Sequence, residues 1–255
     1  MGALLVIRDE QLSILGRVPW IAFEAELANH FFRHYPAECR RAGRDQVLKL
    51  VRLGIDRAFG HGYITQREAG IYINLMVILG HAFDRDPQIP WAREQLNDVS
   101  IDDPFGRIQR VFQSTLTYLE RCFGSGNGQM VRTLVRLRDF DLKQAPQSEG
   151  LRLRDDLCAV LRYFCPHKYE FQGEAANRAL IEEGFDRAER YQIETGRGLT
   201  VFVTLMFLLG AGFDGDPLYP WAGEVLLDRS LPDENTRVTA LHRAAMKYVA
   251  EVLPE

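Results

Sequence analysis

Apolar residues recur along this chain at spacings of three and four, the pattern of helices that bury one face. Residues 18–35 place Ile21, Phe23, Leu27, Phe31 and Phe32 on such a stripe, and residues 45–59 place Val47, Leu48, Val51, Ile55 and Ala58 on another. Pro19 fits a first helical turn and Pro36 stops the helix. Thr65 stands three residues before Glu68, the spacing of a capping box. The helix that follows, through Leu79, is apolar nearly all round, which predicts a buried central element ended by Gly80. Two prolines, Pro87 and Pro90, exclude a continuous helix beyond it, so residues 83–89 read as an ordered loop and Pro90 as the start of a short helix. Asp103 opens a last amphipathic helix that carries Ile108, Val111, Phe112, Thr115, Leu116 and Leu119. The short apolar run at residues 4–7 reads as an extended lead-in. No alternating series exists to build a sheet, so the expected fold is all-α.

The whole pattern occurs twice. Residues 80–92 read GHAFDRDPQIPWA and residues 210–222 read GAGFDGDPLYPWA, 130 positions on. Across residues 54–92 and 184–222, 17 of 39 positions are identical without a gap, which points to one module copied in tandem. The same offset pairs Pro36 with Pro166, the Gly-x-Asp-Arg-Ala of Gly54 with that of Gly184, Arg107 with Arg237 and Tyr118 with Tyr248. The expected organisation is a helical repeat over residues 1–123, a Gly/Ser/Asn linker over 124–130, and a second repeat over 131–255. Each lobe is expected to hold about five helices around its own core, since the chain is long enough for two modest units.

At 46% hydrophobic and 26% charged, the composition is that of an ordinary soluble chain. No apolar run approaches the ~20 residues of a membrane span. The first residues lack the basic and long apolar segments of a secretion signal, and Val6 stands where a myristoylation motif needs Ser or Thr. The expected location is cytoplasmic. Cys39, Cys122, Cys158 and Cys165 fall at unmatched positions with no C-x-x-C, and read as free thiols of a reducing compartment. The net charge of −4 is unevenly spread: residues 170–255 hold 15 acidic against 8 basic side chains, whereas residues 1–123 balance at 15 each. That acidic end argues against nucleic acid as a direct partner and suits a basic protein.

The repeated corner is the first place to seek chemistry. Asp84 and Asp86, like Asp214 and Asp216, set two carboxylates one residue apart, as a hard-cation site does. A calcium loop needs a third oxygen ligand, a glycine and a distal Glu, and Pro87 and Pro217 occupy that third position. A structural motif is the simpler reading. The carboxylates accept backbone N–H bonds around the turn, Phe83, Phe213, Trp91 and Trp221 anchor the core, and Pro90 and Pro220 start the next helix. His30 and His34, four apart with Cys39 beyond, lack a third zinc ligand, and their counterparts are Val160 and Phe164. There is no nucleophile elbow, no Cys/His signature and no phosphate-cradling glycine loop. The expectation is a non-enzymatic binding protein with no catalytic residue, no metal and no cofactor.

The string LMxxLGxxFDxDPxxPWA, carried here by Leu75-Met76, Leu79-Gly80, Phe83-Asp84, Asp86-Pro87 and Pro90-Trp91-Ala92, resembles that of small helical proteins encoded beside type VI secretion effectors in proteobacteria. The resemblance spans most of each copy. It implies an immunity protein that binds and neutralises a cognate toxin, with an adaptor or chaperone for effector loading as the alternative. An acidic second half fits a basic nuclease as the toxin, blocked by occlusion of its active site, with no membrane partner. The residues expected at the rim of that contact are Glu224, Asp228, Asp233 and Glu234, whose counterparts are Glu94, Asp98, Asp103 and Pro104.

Overall fold

The computed structural model describes residues 9–124, 126 and 128–253. Among them the chain is all-helical, with thirteen α-helices, three short 3-10 turns and no strand. The first half runs α1 (Asp9–His34), α2 (Pro36–Ala42), α3 (Arg44–Gly60), α4 (Gln66–Leu79), α5 (Pro90–Leu96) and α6 (Pro104–Phe123). The second runs α7 (Gly128–Asp139), α8 (Gly150–Phe164), α9 (Pro166–Gln172), α10 (Glu174–Glu189), α11 (Gly196–Leu209), α12 (Pro220–Leu226) and α13 (Glu234–Val252). Helices α9 to α13 each begin 130 positions after α2 to α6.

Local chemistry explains most of these boundaries. Thr65 and Glu68 form the expected reciprocal cap: the Glu68 N–H donates to Thr65 Oγ1 at 3.3 Å and the Thr65 N–H to Glu68 Oε2 at 3.0 Å. Asp103 caps α6 through the N–H groups of Phe105 and Gly106. Pro36 does more than stop a helix; it starts α2, because a first-turn proline gives up a donor that has no helical partner anyway. This short helix and its counterpart α9 raise the count above five helices in a lobe. Helix α1 also begins earlier than expected and carries Pro19 inside it. Gly128 already belongs to α7, so the last residues assigned to the linker are helical. Ser125, Asn127 and the lead-in at residues 4–7 lie outside the described residues.

Close packing accounts for the glycine of the shared Gly-x-Asp-Arg-Ala. A Cβ on Gly54 would collide with the Ile73 side chain and meet Met76 Sδ at 2.9 Å, and one on Gly184 would meet Val203 Cγ2 at 2.6 Å. Each glycine therefore lets the central helix, α4 or α11, lie against α3 or α10. Asp56 and Asp186 of the same string are exposed. No contact of theirs explains why both copies keep them.

The expectation of one core per lobe gives way to a shared one. A single apolar cluster runs from Leu27 to Ala245 and includes buried side chains of both halves. The halves are crossed: α6 packs on α9, where Tyr118 meets Phe171 edge-on at 5.7 Å. At the counterpart positions, Tyr248 on α13 lies under the guanidinium of Arg41 on α2, 5.4 Å from ring centroid to Cζ. Arg41 also reaches Glu251 Oε2 at 3.1 Å. Each half thus rests its last helix on the proline-started helix of the other. No helix of the described residues is long and apolar enough to cross a membrane.

Candidate functional site

The two FDxDP corners meet at the centre of the molecule. Each forms a 3-10 turn, Phe83–Arg85 and Phe213–Gly215, whose phenylalanine is buried against an aromatic of the central helix: Phe83 against Tyr72, and Phe213 against Phe202. Trp91 and Trp221 pack half-buried against the same core.

The two aspartates of each corner have different duties. The first is gripped within its own half by the Gly-x-Asp-Arg-Ala arginine and by the residue four positions after that arginine. Arg57 Nη1 lies 3.9 Å from Asp84 Oδ1 and His61 Nε2 lies 3.5 Å from Asp84 Oδ2. In the other half, Arg187 pairs with Asp214 Oδ1 and the Tyr191 hydroxyl donates to Asp214 Oδ2 at 2.8 Å. Burial pushes the Asp84 carboxyl up, but the His61 hydrogen bond and the Arg57 charge outweigh it, and the group sits below the usual carboxylate range.

The second aspartate joins the halves. Asp86 Oδ2 accepts the Ala211 N–H at 2.8 Å, and Asp216 Oδ2 accepts the His81 N–H at 2.9 Å. The other oxygens close the local turns: Asp86 Oδ1 accepts from Gln88 N–H at 2.9 Å and Asp216 Oδ1 from Leu218 N–H at 2.8 Å. Gly80 and Gly210 stand back to back between them, with φ of +97° and +100°. A Cβ on Gly80 would meet Leu209 O at 2.9 Å, and one on Gly210 would meet Leu79 O at 3.0 Å. Only a residue without a side chain permits that approach at that φ. Asp86 and Asp216 thus close their turns and also link the halves, whereas Asp84 and Asp214, expected to accept backbone N–H groups as well, are held by side chains instead. Periodicity gave no hint of the exchange, because it reveals elements and not which loops will touch.

Charge at this junction is unequal. Asp86 has Lys168 nearby, a buried side chain whose Nζ donates to the Phe207 carbonyl and lies over the Phe207 ring. Asp216 instead has His81, with Nδ1 3.4 Å from its Oδ2. Burial pushes Asp86 up and Lys168 down, each opposed by the charge of the other. Lys168 carried no signal in the sequence: it sits in a short helix, and its counterpart is Glu38.

Three of the four carboxylates expected at a partner-binding rim have local structural duties. Asp228 Oδ1 accepts the Ser230 N–H at 2.8 Å, and Asp233 caps α13 through the Thr236 N–H at 2.8 Å. Glu234 Oε1 accepts from Glu194 N, Thr195 N and Thr195 Oγ1 at 3.1, 2.9 and 2.6 Å. It thereby takes over the work of Glu68, whose counterpart is Gly198. These duties occupy lone pairs without removing the negative charge. Glu224 is exposed on α12 and lines a groove of about 690 Å³ between α2, α12 and α13, beside Pro220, Trp221, Lys247 and Tyr248.

His30 and His34 stack with ring centroids 4.2 Å apart. Among the described residues no group of three or more His, Cys, Asp or Glu side chains is placed to hold a metal. Comparison with protein-family models, with curated proteins and with solved structures found no match.

Proposed function

We propose that this chain binds and neutralises a toxic effector of a type VI secretion system by occluding its active site, and that it does so without catalysis. The observation that carries the reading is the groove between α2, α12 and α13. It sets the apolar surface of Trp221, Pro220 and Tyr248 inside a rim of mixed charge, the carboxylates of Glu224 and Glu251 with the cations of Arg41 and Lys247. Tight protein interfaces need an apolar anchor site inside a charged rim, and this groove supplies both. Asp228 and Asp233 add exposed negative charge in the same half, which suits a basic nuclease as the target. The α12–α13 corner is tied down by the caps of Asp233 and Glu234, so little ordering is left to be lost on association. The family resemblance of the FDxDPxxPWA string supplies the biological setting.

The test is co-purification with the product of the neighbouring gene, followed by an assay of that toxin's activity with and without this protein. A complex in which the toxin falls silent supports the proposal. Glu224→Lys is expected to weaken that complex and to reduce its dependence on salt. A stable complex with a fully active toxin transfers the support to the adaptor reading. No complex at all overturns both.

A further inference from the structure

The junction of the two halves holds a partly open cavity of about 460 Å³. That volume falls in the ~300–1,000 Å³ range of small-molecule sites. Its walls are mostly apolar, supplied by Leu79 and Leu208 from the central helices, Leu119 from α6, Met130 and Leu134 from α7, and Val252 from the end of α13. One end is polar and carries Lys168, Asp86, Gln88 and Tyr118. Glu38 and Tyr248, the counterparts of Lys168 and Tyr118, also line it.

The hydrogen-bonding ledger at the polar end is lopsided. Asp86 accepts three hydrogen bonds: Oδ1 from Gln88 N, and Oδ2 from Ala211 N and from Gln88 Nε2 at 3.2 Å. Gln88 Nε2 also reaches Met206 O at 3.0 Å. Lys168 is 5% exposed, and its Nζ has the Phe207 carbonyl as its hydrogen-bond partner. An ammonium has further N–H donors, and unmet donors in an apolar enclosure are costly. The donors left over at this end are those of Lys168, whose charge Asp86 partly offsets, with apolar walls beyond them.

We propose that the cavity binds a small amphipathic carboxylic acid, with its carboxylate on Lys168 Nζ and its single aliphatic tail along the walls formed by Leu79, Leu208, Met130 and Leu134. The carboxylate meets the donors that the protein leaves unmatched, and the tail covers apolar surface. Glu38 in the same lining disfavours a second carboxylate, so a monoacid fits and a diacid does not. The cavity shares Tyr248 with the groove between α2, α12 and α13, but Lys168, Leu79, Leu208, Met130 and Leu134 are no part of that groove, and the inference does not depend on the toxin-binding reading.

The probe is decanoate, titrated into the purified full-length protein by calorimetry below its micelle concentration, with decanol and decylamine as controls of equal tail length. Decanoate is expected to bind at least about tenfold more tightly than decanol. Lys168→Met is expected to abolish that preference while circular dichroism shows the fold retained. If this variant fails to fold, Met130→Trp decides, since an indole across the tail path removes decanoate binding. Equal affinity for decanoate and decanol, stronger binding of decylamine, or undiminished decanoate binding by either folded variant overturns the proposal. So does the absence of any binding to the native protein.

Discussion

Glu234 and Gly198 exchange a space between them. Glu234 Oε1 lies 2.6 Å from the point where a Cβ on Gly198 would stand, and accepts the backbone N–H groups that open α11. In the first half the same service comes from Glu68, within the helix, and position 104 is a proline. The capping carboxylate has moved from one helix to another while the capped threonine stayed in place. Glu234→Ala is therefore expected to lower stability by about 1–2 kcal/mol, the worth of a lost cap with charge-assisted bonds. Urea denaturation checks it; an unchanged midpoint removes the capping role.

This pair also marks how far the sequence could be read. Helix types, the capping box at Thr65 and the buried character of α4 follow from spacing and side-chain chemistry, which act over a few residues. The short helices α2 and α9 were hidden, because Pro36 reads equally as an end and as a beginning. Glu234 looked like surface charge since its partners are some forty residues away. The cross-links of Asp86 and Asp216 and the burial of Lys168 depend on which loops meet. Nothing in a period of 3.6 carries that information.

The central exchange predicts an asymmetry. Removing either Asp86 or Asp216 orphans two buried N–H groups, one in each half. Asp86→Ala also leaves the buried Lys168 ammonium without its neighbouring carboxylate, whereas Asp216→Ala leaves His81, and an imidazole sheds its charge more readily than an ammonium. The expected losses are about 3–5 kcal/mol for Asp86→Ala and about 2–3 kcal/mol for Asp216→Ala. Chemical denaturation of both variants measures the order; equal losses refute it.

A continuous core implies one cooperative unit. The apolar cluster spans both halves, and α6 and α13 each rest on the opposite half. Heating or denaturant should give a single transition in which tryptophan fluorescence and helical circular dichroism change together. Gly80→Ala, which drives a methyl group toward Leu209 O at a φ of +97°, should move that transition down as a whole. Two resolved transitions would show that the halves are separate folding units.

The cysteines make the same core chemically accessible to measurement. All four are free and buried. Burial, aided by Glu38, pushes the Cys39 thiol up to about 11, and burial pushes Cys122 up to about 12. Thiolate is the reactive species, so both should resist iodoacetamide near neutral pH and alkylate at once in denaturant. Mass spectrometry after timed quenching reads the modified positions. Rapid labelling of Cys122 in the native protein would contradict its place on the buried face of α6.

Asp84 provides the pH dependence. Its folded-state pKa lies below the ~3.9 of an unfolded aspartate. Between the two values the unfolded chain holds a proton that the folded chain lacks, so acid favours unfolding there. The stabilisation is complete above the unfolded value and is lost as pH falls through the folded one. Asp84→Asn removes the titrating group together with its attraction to Arg57, 3.9 Å away, and to His61. The wild-type advantage over this variant should shrink steadily as pH falls below about 4. Paired urea titrations at several pH values measure the difference, and an advantage that grows on acidification would place the shift of Asp84 in the opposite direction.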